Sequence, residues 1–395
     1  MARKINKDFL YFPFMPHRDI HAGGLIHNYF DNKQIDGLYL STAIKNFAGS
    51  FITIFVPIYL LTLGINIQNI AIYYIVGLTT SFLFFIVGLK INSKWGIKKS
   101  MSLGIIISIF YYILLNSLSS WQDGYLLVAI ISGISGGIYW AGFHIEFSRF
   151  CDKNKEASEN ALMNIFSKVA GAVGPLIGAI LISKISFNFV ILLSAILLVL
   201  SIIPLFSTKN EKAKYRFSIK EMLKSDRRNK ALAYTGSGII GVVGGTFWPI
   251  FIYFTLKEVL SLGIIVSITA VVEILFLFII GKISDKHGKK VLRTGIVTYS
   301  ASWISRLFFL SPLGIFFNNL YSAFSTSLID LPFAKIIYSK SKESQDVSNY
   351  FLFREFYLWV GRVLILLLVI FTSNIFMTFI ISFFVTFLYF NLLKE

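Results

Sequence analysis

Glu273 stands in the run VVEILF, among Val272, Ile274 and Leu275, with no other charge near it in the sequence. A carboxyl left unpaired in apolar surroundings favours its protonated form, the profile of a group that takes up and releases a proton. Pairing with a distant cation, Lys168, is the alternative. Lys168 shares a helical stripe with Asn160, Asn164 and Gly171. Glu355, Trp359 and Arg362 recur at i, i+4 and i+7 with Arg354 adjacent, and Asp330 follows Thr326 and Ser327 by one turn. Lys168 and Arg362 facing Asp330 and Glu355 would neutralise one another. Such a set is either a fixed brace or a switch in which a carboxylate exchanges its cation for a proton.

Other residues extend the set. Lys45 and Asn46 are adjacent, and Glu146 can pair with Arg149 at i, i+3 or with Lys94 or Lys98 from another element. Trp140, His144 and Phe147 share one helical face, which makes His144 either a packing histidine or a site residue. Tyr139, Trp140 and Trp248 offer flat surfaces on which an organic molecule can stack, although packing is the commoner use. Arg306 and Lys335 fall near the ends of apolar stretches, where long cations reach for the headgroups.

The elements that carry these residues follow from composition. The chain has 395 residues, 55% hydrophobic and 14% charged, with a mean hydropathy of +0.71, against roughly 45–50% and 25% in soluble domains. Apolar stretches of about 20 residues, enough to cross ~30 Å of hydrocarbon, recur along the chain. The alternation of a membrane β-barrel is missing. The pattern predicts an all-α polytopic membrane protein with spans near 36–61, 66–88, 100–118, 124–147, 158–182, 187–206, 231–256, 261–281, 290–310, 313–338, 347–371 and 374–393. Residues 1–35 mix aromatic and basic side chains, as an interfacial segment does, without the apolar core of a signal peptide.

A net charge of +17 raises the possibility of a nucleic-acid partner. Its distribution excludes that reading. With the N-terminus inside, 29 of the 37 Lys and Arg fall on inner segments and two, Lys184 and Lys257, on outer loops. This is the positive-inside pattern, and it places both termini in the cytoplasm. Cys151 is alone, so no intrachain disulfide can form.

The chain also repeats itself. Pro57 in FVPIYLLTLG matches Pro249 in FWPIFIYFTL at an offset of 192, and EASEN at 156 matches DVSNY at 346 at an offset of 190. The second offset superposes Phe166 on Phe356 and Gly171 on Gly361. Two six-helix halves, 36–206 and 231–395, are expected, joined by the basic linker 207–230. GKISDKHGKK at 281–290 has a worn counterpart, GLKINSKWGIKK, at 88–99, with Gly96 matched to Gly288.

Two parallel repeats joined by a charged linker resemble the plan of the major facilitator superfamily. Gly281, Asp285, Lys286, Gly288, Lys289 and Lys290 resemble that family's loop signature, G-x-L-A-D-[RK]-x-G-[RK]-[RK]. In the first copy Ser93 replaces the Asp and Gly88 is one residue out of register. GAVGPLIG at 171–178 resembles the glycine–proline signature of the family's fifth helix, common among antiporters.

The resemblance implies twelve helices in two pseudo-symmetric bundles, with helices 1, 4, 7 and 10 lining a central cavity. It also implies that Asp285 latches the halves by accepting hydrogen bonds at the start of helix 5, near Ser158 to Asn160. The glycines would form a tight turn that the lysines hold on the cytoplasmic side. Cavity residues would be Lys45, Asn46, Tyr139, Trp140, His144, Trp248 and Asp330. Glu273, Glu355, Arg362, Arg354, Lys168 and Glu146 would form the coupling network.

The function expected is secondary transport of a small organic solute by alternating access in the plasma membrane. Proton coupling, a monomeric state, and export of a lipophilic or amphipathic compound go with it; no metal or cofactor is expected. Uptake of an anionic metabolite is the alternative, since Lys45, Lys168 and Arg362 suit a carboxylate or phosphate. A non-transporting sensor or scaffold and an integral-membrane lipid-modifying enzyme are the rivals from other classes. The latter lacks an acidic or histidine cluster on a loop.

Overall fold

The computed structural model describes residues 33–150, 156–207, 209–215, 218, 228–344 and 346–394. Residues 1–32 of the segment expected to be interfacial, Cys151 and much of the linker lie outside them. Every regular element among the described residues is helical.

Nine stretches of these residues are long and apolar enough to cross a membrane. The ninth and tenth expected spans are helical but more polar; the fifth is helical, and its run from Val169 to Ile182 carries no charge. The tenth, for example, is diluted by Asn318, Asn319, Asp330 and Lys335.

The first span is α1 (Lys33–Ser50), a 3-10 turn at Thr53–Phe55 and α2 (Val56–Thr62). Spans two to six are α3 (Ile67–Lys94), α4 (Ile97–Ser117), α5 (Tyr125–Phe150), α6 (Glu156–Lys184) and α7 (Phe187–Ile202). The seventh is α8 (Arg228–Val242), a π turn at Val243–Phe247 and α9 (Trp248–Leu256). Spans eight and nine belong to α10 (Val259–Ser305); α11 (Pro312–Glu343), α12 (Val347–Thr372) and α13 (Ile375–Thr386) complete the second half.

The repeat shows in the breaks. Proline lacks an N–H and suits the first turn of a helix, so Pro57 and Pro249 each open a new helix partway through a span. Side-chain oxygens of Asn66, Ser186, Ser311, Asp346 and Asn374 cap the starts of other helices by accepting backbone N–H bonds.

Small residues bring the helices together, as membrane packing requires. A Cβ on Gly178 would fall 2.1 Å from the Phe51 carbonyl oxygen, joining spans five and one. In the second half Gly361, at a different position along its span, is 2.0 Å by the same measure from the Thr235 oxygen, joining spans eleven and seven.

Across the halves, span five packs on span eight and span two on span eleven. Leu176 N–H donates to Ser267 Oγ at 2.9 Å, and Trp359 Nε1 donates to Thr79 Oγ1 at 3.0 Å. At the far end Gln68 bonds Ser373 at 2.5 Å; at the linker end Ser148 and Ser341 hydroxyls meet at 3.0 Å.

The two charged turns reverse the sequence expectation. The worn first copy is a sharp turn, with Trp95 closing α3 and Gly96 at φ 98°, a conformation that favours glycine. Asn210 of the linker fills the space beside it: its Nδ2 donates to the Trp95 carbonyl at 2.8 Å and its Oδ1 accepts from Lys98 N–H at 3.0 Å. Ile97 N–H donates to the Glu211 carbonyl at 2.8 Å, and Arg149 donates to the Lys212 carbonyl at 3.0 Å. Burial pushes the hydroxyl of the next linker tyrosine, Tyr215, up to about 12, and nearby Asp346 of the second half adds to it. The linker thus reaches both halves.

The fuller copy at 281–290 is helical backbone with one break, at His287 (φ −134°, ψ 36°). Gly288 makes no tight turn there, since the glycines of positive φ among the described residues are Gly64 and Gly96. Lys289 is exposed. Gly88 is out of register because it belongs to helix packing instead: a Cβ there would meet Ala141 Cβ at 2.8 Å. The surroundings of Gly281 and the side chains of Asp285, Lys286 and Ser158 to Asn160 lie outside the described residues, and so does the latch expected between them.

Candidate functional site

Span one brings Thr42 and Asn46, span four Trp140, His144 and Phe147, span five Lys168, span ten Asp330 and Tyr338, and span eleven Arg354 to one cavity of about 310 Å³. Phe143 and Phe333 complete an aromatic wall. The cavity lies between the two halves, so relative motion of the halves would change access to it.

Two charge clusters border it. In the first, Lys168 forms an ion pair with Glu273 across spans five and eight. Asp330 faces the same cavity from span ten and interacts electrostatically with both. Glu273 is therefore not the unpaired carboxylate that its sequence neighbours suggest; its partner lies 105 residues away. Lys168 keeps 28% of its side-chain surface exposed and lines the cavity, and Glu273 keeps 14%.

The second cluster centres on Glu355. Arg354 contacts it at 2.5 Å, Arg362 at 3.9 Å and His144 Nε2 at 4.0 Å. The His144 ring is sandwiched between Phe351, at 4.7 Å and 11° between planes, and Trp140, at 5.6 Å. Its Nδ1 is buried with no hydrogen-bond partner.

Lys45 stands behind the wall. Its ammonium lies 4.3 Å from the Tyr139 ring centroid and 5.4 Å from that of Trp140, a cation–π arrangement. Among the described residues no carboxylate lies within 4.0 Å of it. Tyr139 is buried, its hydroxyl 3.1 Å from Thr42 Oγ1.

Three expected residues lie elsewhere. Trp248 is packed within the second half, stacked on Phe251, with Nε1 donating to Asn319 Oδ1 at 3.1 Å. The π turn that precedes it re-aims the helix and directs the indole into that core. Glu146 pairs with Lys98 at 3.7 Å, both 1% exposed, away from the cavity lining. Arg306 does not reach the headgroups: it is 3% exposed, between Trp303 and Trp248.

Sequence reasoning missed Phe351, Phe333 and Tyr338. Phe351 lies one turn before Glu355, the only local sign of its place. Among the described residues, no group of three or more metal-ligating side chains forms.

With this geometry in hand, comparison with known proteins is decisive for the family. The family model described as Major Facilitator Superfamily matches residues 38–332. The chain belongs to the Major Facilitator Superfamily. It is similar to the uncharacterized protein YqgE of Bacillus subtilis (strain 168), 22% identical over 350 residues, covering 84% of this chain and 80% of that protein.

Among solved structures it is similar to the human organic anion transporter MFSD10 (TETRAN), with a TM-score of 0.67, 11% identity, and 91% of this chain and 99% of that one covered. It is also similar to the nucleoside transporter NupG, with a TM-score of 0.66, 14% identity, and 90% and 97% covered. At such identities these structures speak for the fold. Membership makes this superfamily chain an integral membrane transporter of small-molecule solutes, of the secondary type, and not an enzyme.

Proposed function

We propose that the protein is a proton-coupled transporter that exports an amphipathic organic solute. The observation that carries this is the Lys168–Glu273 pair facing Asp330 in an aromatic-walled cavity between the halves. Two carboxylates compete for one lysine there. A proton on either would release the lysine to the other and change which arrangement of spans five, eight and ten is stable. The aromatic wall suits an apolar, flat solute body, and the glycine–proline element of span five supports export.

The halves are taken as 36–206 and 231–395 joined by the linker 207–230, in a monomer of the plasma membrane with cytoplasmic termini. The basic linker and inner loops support that orientation.

The test is solute-dependent proton flux in proteoliposomes. Amphipathic solutes should dissipate an imposed pH gradient in wild-type vesicles and not in Asp330→Asn vesicles. A flux equal in both would reject the coupling.

A second reading, uptake of an anionic metabolite, is favoured by Lys45, whose ammonium has only ring faces as described neighbours. A solved neighbour described as an organic anion transporter agrees with an anionic solute. Lys45→Met would then weaken solute binding and leave the pH gradient response to neutral compounds intact.

A further inference from the structure

Arg306 raises a question that the cavity does not answer. It sits on span nine at the far end of the second half, and none of its neighbours lines the cavity. Its guanidinium carbon lies 3.7 Å from the Trp303 ring centroid and 4.3 Å from that of Trp248. Nε donates to Asn318 Oδ1 at 3.4 Å and Nη2 to Ser322 Oγ at 2.9 Å. These partners are all neutral. Among the described residues no carboxylate comes within 4.0 Å, and Nη1 is buried with no hydrogen-bond partner.

A buried guanidinium without a counter-charge is costly, and indole faces and amide dipoles offset only part of the cost. The surrounding amides are already committed. Asn318 Nδ2 donates to Ser305 Oγ at 2.5 Å, and Asn319 Oδ1 is held by Trp248 Nε1 at 3.1 Å. What the arrangement lacks is one negative charge at the Nη1 edge. The site is nearly closed, with Arg306 3% exposed and Trp303 fully buried. Nη1 itself is covered, so any occupant enters only as the surrounding side chains shift, and a small ion needs a smaller shift than a lipid headgroup or a bulky organic acid.

We propose that Arg306 anchors a binding site for a small monovalent inorganic anion, with chloride as the abundant case. It is separate from the cavity and formed by spans seven, nine and ten. Bound there, the anion neutralises the guanidinium and ties the π turn of span seven, through Trp248, to spans nine and ten. The site does not depend on the solute or the coupling ion.

The experiment is thermal unfolding of the purified full chain in detergent, with chloride replaced by gluconate at constant ionic strength. Tm should rise by roughly 2 °C between 1 and 100 mM chloride, as ligand linkage to the folded state gives for a chain of this size. Asn318→Asp places a fixed carboxylate beside Nε. It should hold the high Tm without chloride and abolish the dependence, so the test does not rely on Arg306→Gln folding. In crystals grown with bromide, an anomalous peak is expected at Nη1. Equal Tm in chloride and gluconate overturns the proposal, and so does a chloride response that survives in Asn318→Asp. A rise given by phosphatidylglycerol but not by chloride overturns it in favour of a headgroup phosphate.

Discussion

Two Lys–Glu pairs in the same chain differ in how far they are enclosed. Lys98 and Glu146 hold each other at 3.7 Å with 1% of either side chain exposed, away from the cavity lining. Lys168 and Glu273 keep 28% and 14% exposed, and a second carboxylate, Asp330, faces the same lysine. Charge and residue type are the same, and each lysine has a second carboxylate in electrostatic reach, Glu211 in the first pair and Asp330 in the second; exposure is not the same. A pair enclosed on all sides serves as a brace. A pair at a cavity with a competing acceptor can change partners.

The comparison breaks or sharpens on three substitutions. The largest effect should come from Glu146→Gln, which leaves Lys98 as a buried charge and should lower stability by about 3–5 kcal/mol. It would be read as a fall in Tm of the purified protein, with transport per folded molecule unchanged. Next is the double change Lys98→Met with Glu146→Leu, which removes both charges. It should recover most of that loss and end within about 1–2 kcal/mol of wild type, since apolar replacement of a buried pair is often near neutral.

The smallest stability effect belongs to Glu273→Gln, at most about 1 kcal/mol because the pair is partly solvated and Asp330 remains. Its transport should nevertheless stop responding to an imposed pH gradient in proteoliposomes. If Glu273→Gln instead costs as much stability as Glu146→Gln, both pairs are braces and the distinction fails.

Much of the fold could be read from the residues alone. The apolar stretches marked the spans, and Pro57 and Pro249 marked matching breaks in the first and seventh. The charged turns were harder, because a motif does not say whether its glycine bends the chain. Gly96 does so at φ 98°, with Asn210 filling the space; Gly288 does not. Periodicity placed Lys168, Glu355 and Arg362 on faces, yet a face does not name the residue opposite it. Glu273 looked unpaired because its partner is 105 positions away. Arg306 looked bound for the headgroups because distance to the span end was the only local guide. Two indoles, one of them from span seven, supply inside the bundle part of what the interface would have supplied outside it.

The break at His287 has a mechanical consequence. Val259–Ser305 is 47 residues of helix interrupted at one position, about 70 Å of rod if it were straight, more than twice the hydrocarbon thickness. It must fold back, and it does so with almost no slack. The upstream arm carries Glu273, which meets Lys168, and the downstream arm carries Arg306, packed between Trp303 and Trp248 of span seven. The two arms therefore share one short joint, and the position of one constrains the position of the other even where their ligands do not meet.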